Sequence, residues 1–221
     1  MPSGPVAWYR TGPRLPPLEF TDAVRHRRMV RSYTDQAVSR ELVDTILDAA
    51  RRAPSAGHTQ GFAFVVLEGQ SQTSLFWELT STPTQAPPAG GRFDRLRAAP
   101  VIILPLCHEA AYLARYSEPD KAGAGLERSE RWPMPYWAID TAFAAMTMLL
   151  AATDAGLGAL FFGIFTGEEA LLAALGIPDG YRPIGAVTLG WPAENDPRSP
   201  SLARGRRPRT ETIHYGRWDA D

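Results

Sequence analysis

Cysteine and lysine are almost missing from this chain: Cys107 is its one cysteine and Lys121 its one lysine. A single thiol excludes an internal disulfide and any cluster of cysteine metal ligands. The four histidines, His26, His58, His108 and His214, stand far apart, without the HxxxH or HExxH spacing that sets two imidazoles on one helical face. The sequence therefore offers no metal site. A one-sided charge is missing too, since 23 basic residues stand against 24 acidic ones. That balance argues against a general nucleic-acid or membrane-surface binder. The longest apolar run, residues 142–152, is shorter than the roughly 18 residues a membrane-spanning helix needs. The first residues lack a charged stretch followed by an apolar one, which predicts no secretory leader and a soluble, cytoplasmic protein. No GxGxxG follows a strand and no GxxxxGK[ST] occurs, so neither a Rossmann nucleotide site nor a P-loop is available.

What is present is 221 residues with 44% hydrophobic content, enough for one domain over 1–221 with a sizeable core. Residues 1–18 are rich in Pro and Gly and read as an extended arm. Residues 20–28 read as a short helix. Ser39 is a good N-cap for the next one, with Val38 and Val43 as a hydrophobic staple, and Leu42, Val43, Ile46, Leu47, Ala49 and Ala50 line one apolar face. Residues 62–67 read as a strand and residues 74–79 as a helix. Residues 101–106 ("VIILPL") form a second buried strand, which Pro105 places at an edge or an end. Residues 115–135 are loop-like and charged. Residues 138–154 are apolar almost all round, the mark of a helix buried on every side. Thr166 and Glu169 make a capping box for a further helix, which Gly176 closes. Residues 184–189 read as a strand, and residues 195–221 as an irregular extension. The pattern is α+β, rich in helix, with few strands.

Four places carry candidate chemistry. "HRRMVRSY" presents Arg27, Arg28 and Arg31, whose planar guanidinium groups can grip a phosphate bidentately. "PSAGHTQ" sets small and polar residues between a helix and a strand, where a plain connector would need only a Gly. "GLGALFFGIF" places glycines where main chain can approach a planar ligand, with Phe161 and Phe162 able to pack on it. "LARGRRPR" adds Arg204, Arg206, Arg207 and Arg209. Singly, a solvated basic turn, a polar loop, tight helix–strand packing and a charged tail serve as well. Jointly they have the anatomy of a site for a phosphorylated flavin.

The order "RRMVRSYTDQAVSRELVDTILDAARRAPSAGHTQGFAFVV", "AGLGALFFGIF", "IGAVTLGWPAE" and "RRPRTETIHYGRW" resembles the FMN-dependent nitroreductase family from about residue 20 to 218. The resemblance implies a central, mostly antiparallel sheet flanked by helices, in an intertwined homodimer with two FMN molecules at the interface. It implies that Arg27, Arg28, Met29 and Arg31, then Pro54, Ser55, Ala56, His58 and Gln60, then Phe162, Gly163 and Ile164, bind FMN. Arg206, with Arg204 beside it, would complete the hold on the phosphate. Arg28 or Arg31 would stabilise the anionic reduced flavin. The implied activity is hydride transfer from NAD(P)H to FMN and two-electron reduction of a small organic acceptor such as a nitroaromatic or quinone. A flavin-holding protein, or flavin-dependent dehydrogenation, dehalogenation or flavin cleavage, are the alternatives on the same fold. The resemblance also implies that residues 110–137 cover the flavin, with Tyr112, Tyr116, Trp132, Tyr136 and Trp137 available to stack on substrate or to pack in the core. The arm and the residues 195–221 would wrap a partner subunit. The chain departs from the family pattern at Met29, where the family has Ser and this side chain cannot donate. It departs also at His58, where Asn is usual, and at Gly61-Phe62, which replaces Pro-Trp.

Overall fold

Ser39 accepts a hydrogen bond from the Leu42 amide at 3.3 Å and opens α2 (Arg40–Ala50) as its N-cap. In the computed structural model, which describes residues 18–81, 91–121 and 123–218, this helix buries Val43, Ile46, Ala49 and Ala50 against a sheet. The arm proposed for residues 1–18 lies, apart from Leu18, outside the described residues. Before α2 stands α1 (Phe20–His26), shorter than expected because Arg27 has left the helical backbone.

Among the described residues the sheet has five strands: β1 (Phe62–Glu68), β2 (Val101–His108), β3 (Gly158–Phe162), β4 (Tyr181–Pro183) and β5 (Ala186–Gly190). Their order is β1-β2-β5-β3 with β4 also on β2, and every pairing is antiparallel. Alternation along β2 explains its unbroken apolar run. Val101 and Ile103 face α2 and α6 (Tyr136–Asp154), where Ile46, Ala144 and Met148 pack on them. Ile102, Leu104 and Leu106 face Phe76 and Trp77 of α3 (Gly69–Thr80) and Leu171 of α7 (Glu168–Ala174). A strand covered on both faces has no polar side to show. Two shorter helices, α4 (Arg92–Arg97) and α5 (Glu109–Tyr116), flank β2 in the chain.

Four further expectations are corrected. Pro105 does not mark an edge: β2 is central, bonded to β1 on one side and to β4 and β5 on the other. The Pro105 carbonyl accepts from the Ile184 amide at 3.0 Å. Its missing N–H thus faces the break between β4 and β5, where no ladder bond is lost. That break takes Ile184 and Gly185 out of the strand expected at residues 184–189, which begins at Ala186 instead. Gly185 makes the break, with φ 151° and no room for a Cβ, which would lie 2.5 Å from the Phe162 carbonyl oxygen. The capping box is absent as well. Gly167, left-handed at φ 71°, caps α7, while the Thr166 hydroxyl donates to the Thr80 carbonyl at 2.9 Å.

The fourth correction concerns α6. It is not buried all round: Phe143 is 48% and Met146 42% exposed, beside exposed Ala142. By length and composition alone its 19 residues could cross a membrane. It packs against α2 and across β1, β2 and β3, as the core helix of a sheet does.

Candidate functional site

Residues 27–34 cross from α1 to α2 in extended form, and two neighbours hold them. On one side the Val30 amide donates to the Ala159 carbonyl at 3.0 Å, and Met29 forms a parallel bridge with Ala159. Gly158 is needed for this approach, since a Cβ there would lie 2.7 Å from Val30. On the other side Tyr33 bridges Pro192, Thr34 donates to Trp191, and Ala193 donates to Ser32. The fold therefore brings the arginine segment against the start of the glycine-rich strand. Arg28 forms an ion pair with Asp196, whose Oδ1 also accepts the Arg31 amide at 3.0 Å. Arg31 Nη1 donates to the Met29 carbonyl at 2.9 Å. Arg27 differs from both: its Nη1 is buried and has no hydrogen-bond partner among the described residues.

The Pro-Ser loop is wound tightly. Gly57 (φ 61°), His58 (φ 54°) and Gln60 (φ 51°) are all left-handed, and the two non-glycine residues hold that geometry at a cost of order 1–3 kcal/mol each. The Gln60 amide donates to Ser55 Oγ at 2.9 Å, and the ends of the Gln60 and His58 side chains meet at 3.0 Å. Beneath the loop lies Asp140 of α6, 3% exposed. One of its oxygens accepts both the Ala56 amide, at 2.8 Å, and the Tyr112 hydroxyl, at 2.7 Å. Burial and then this carboxylate push the Tyr112 phenol well above its ordinary range. Arg115 clamps the loop from outside through the Gly57 carbonyl at 2.9 Å, and it pairs with Glu118 and Asp120. Gly61 is required sterically: a Cβ there would lie 2.5 Å from the Tyr112 ring. Pro54 is exposed at the entry to the loop.

At the end of β3 the Phe162 ring stacks on Trp77 (centroids 5.5 Å, planes 9° apart) and meets Phe76 edge-on. That ring belongs to the core, so it does not pack on a ligand, and Phe162 has its main chain to offer. Gly163 and Ile164 follow, both partly exposed, and Phe165 lies over Gly163 while 91% exposed.

The five aromatic residues form one cluster centred on Trp132, whose ring meets those of Tyr112, Tyr116, Tyr136 and Trp137 at 4.8 to 6.2 Å. Tyr112 and Trp132 are buried, so in this conformation the outer surface of the cluster belongs to Tyr116, Tyr136 and Trp137. Arg204 ends the turn Pro200–Arg204, and Arg206 follows it. Both are exposed and neither is hydrogen-bonded or ion-paired with another described residue. Arg207 is engaged by Glu211, and Arg209 by the Tyr215 hydroxyl.

Sequence reasoning missed Asp140 and Asp196. Asp140 had a signal, as the one acidic residue inside an apolar helix. Asp196 had none. The residues present fit a phosphorylated flavin. Arg27 has a buried donor without a partner among the described residues, the loop is preformed, and the main chain at Gly163 is accessible.

Residues 24–191 match the nitroreductase family. An NADH dehydrogenase of Thermus thermophilus is 30% identical over 198 residues, 81% of this chain and 90% of that protein. An FMN reductase (NAD(P)H) of Bacillus subtilis is 26% identical over 194 residues, 83% of this chain and 70% of that protein. A structure from Desulfovibrio desulfuricans, solved in complex with FMN, is 27% identical and superposes with a TM-score of 0.66, over 90% of this chain and 98% of that one. The matched span opens inside α1 and closes on Trp191, and so takes in the arginine segment, the strained loop and the glycine-rich strand: this chain belongs to the nitroreductase family.

Proposed function

We infer that this protein is an FMN-dependent oxidoreductase that draws hydride from NAD(P)H and reduces a small organic acceptor, such as a nitroaromatic or a quinone. The observation that carries the reading is the buried Nη1 of Arg27, which has no partner among the described residues, on a segment bonded to the glycine-rich strand β3. A guanidinium nitrogen removed from water needs an acceptor, and a phosphate supplies one. When bound, FMN supplies the hydride-accepting and electron-donating chemistry. The chain's own residues bind and orient it. Arg27, with Arg204 and Arg206, holds the phosphate. Arg31 supplies positive charge on the same segment. Ser55, His58 and Gln60 provide polar groups along the loop, whose strained backbone is held by Asp140. The main chain at Phe162, Gly163 and Ile164 meets the ring system, and Tyr116, Tyr136 and Trp137 border the acceptor's place.

The working unit in this reading is an intertwined, cytoplasmic homodimer of single-domain chains. Its support is the apolar stripe that α6 leaves uncovered at Phe143 and Met146, together with the exposed tail residues Leu202, Tyr215 and Trp218. The test is the visible spectrum of the purified protein without oxygen, before and after NADPH. A yellow flavin that bleaches, and recovers on adding a quinone, is the expected result. Flavin that stays oxidised with both NADH and NADPH would remove the reductase reading.

A further inference from the structure

One arginine of the segment already has an anion. Asp196 pairs with Arg28 while its Oδ1 holds the Arg31 amide. The surroundings of the pair are unequal, with the aspartate side chain 2% exposed and the arginine 43%. A carboxylate so enclosed has to stay paired and hydrogen-bonded. The main chain fixes it there, because residues 191–196 run beside residues 31–34 through the Thr34–Trp191 and Ala193–Ser32 hydrogen bonds. Arg27, by contrast, has a buried nitrogen with no partner among the described residues.

We propose that Asp196 is an internal counter-anion of the flavin-phosphate site, which occupies Arg28 and so weakens the hold on FMN and keeps the cofactor exchangeable. The inference rests on the FMN reading above. Arg28 can serve a phosphate only by sharing itself with, or leaving, a carboxylate that is then buried with one cation fewer. This competition for Arg28 lowers affinity for FMN and leaves riboflavin, which lacks the phosphate, untouched.

Asp196→Asn removes the charge and keeps an oxygen for the Arg31 amide. Binding of FMN and of riboflavin is measured by fluorescence titration of the full-length protein freed of flavin, in the wild type, Asp196→Asn, Arg28→Gln and the double variant. The expected result is FMN bound about tenfold more tightly by Asp196→Asn, the low end of one charge-assisted contact. Riboflavin binding stays within about twofold, and Asp196→Asn brings no gain in the Arg28→Gln background. FMN affinity that is unchanged or weaker, an equal gain for riboflavin, or a gain that persists without Arg28 each overturns the proposal. A loss of both flavins would make Asp196 a positioning residue of the segment instead, which also overturns it. A wild type that binds neither flavin would remove the FMN reading itself, and this proposal with it.

Discussion

Tyr112 and Ala56 share one oxygen of Asp140, the hydroxyl at 2.7 Å and the amide at 2.8 Å. A helix, an aromatic cluster and the strained loop are thereby tied at one buried point, and loss of the carboxylate leaves two enclosed donors unsatisfied. Asp140→Ala should lower unfolding free energy by roughly 2–4 kcal/mol, and Asp140→Asn, which keeps an acceptor, by about half as much. Urea denaturation compares them. A change below about 0.5 kcal/mol for Asp140→Ala would mean the contact is incidental.

Alkaline pH should act on two buried phenols. Tyr33, which donates to the Val30 carbonyl and meets Thr188 Oγ1 at 2.8 Å, and Tyr112 are both held above the ordinary value of 10.0, by burial first in each case. Because the folded value exceeds the unfolded one, the stability they contribute is complete below pH 10 and falls as pH rises above it, by about 1.4 kcal/mol per pH unit for each phenol. Cys107, also raised by burial from 9.0, adds to the trend. Melting temperatures between pH 8 and 11 should drop less steeply in Tyr33→Phe than in the wild type. Parallel curves would remove Tyr33 from the account.

Local signals were well read where neighbours in sequence decide the outcome, as with the Ser39 cap and the apolar face of α2. They failed where a distant partner decides. Pro105 sits in a central strand because its vacant side meets the gap between β4 and β5, some eighty residues on. Thr166 spends its hydroxyl on Thr80 rather than on a cap. Within the candidate site the arginines, glycines and loop were visible as residue types at a spacing. The two carboxylates that organise them were not, since Asp140 hides in an apolar helix and Asp196 in a polar run.

Two glycines of the site should respond differently to a methyl group. At Gly61 the new Cβ would press into the buried Tyr112 ring at 2.5 Å, whereas at Gly163 it would touch the exposed Phe165 ring at 2.9 Å, which can swing away. Gly61→Ala is expected to cost about 1–3 kcal/mol, and Gly163→Ala under about 1 kcal/mol while weakening flavin binding at the main chain. Calorimetry with and without FMN checks both halves. Equal losses of stability would contradict the packing argument.

The uncovered stripe on α6 is where the proposed dimer would start. Phe143→Glu with Met146→Glu puts two charges where an apolar contact is expected, and should shift the protein to a monomer with loss of bound flavin. Light scattering on the wild type decides whether there is a dimer to break: a mass near 24.2 kDa with flavin bound would end the proposal.

Arg206 and Arg209 separate a phosphate clamp from a basic tail. The two lie three residues apart in the same exposed stretch, but Arg209 already meets the Tyr215 hydroxyl at 3.1 Å, whereas Arg206 has no such partner among the described residues. If Arg206 grips the phosphate, Arg206→Ala removes a charge-assisted contact of about 1.5–3 kcal/mol. FMN should then bind roughly 10- to 150-fold more weakly, at about 1.4 kcal/mol per decade. Arg209→Ala should change FMN affinity by less than about threefold, as a solvated charge does. Riboflavin should bind the wild type and Arg206→Ala alike, because it has no phosphate to lose. A general electrostatic effect would treat the two arginines equally and would vanish at high salt, whereas a direct clamp keeps most of its difference there. Equal FMN losses for both variants, or a matching loss with riboflavin, would place the clamp elsewhere, with Arg204 the next residue to replace.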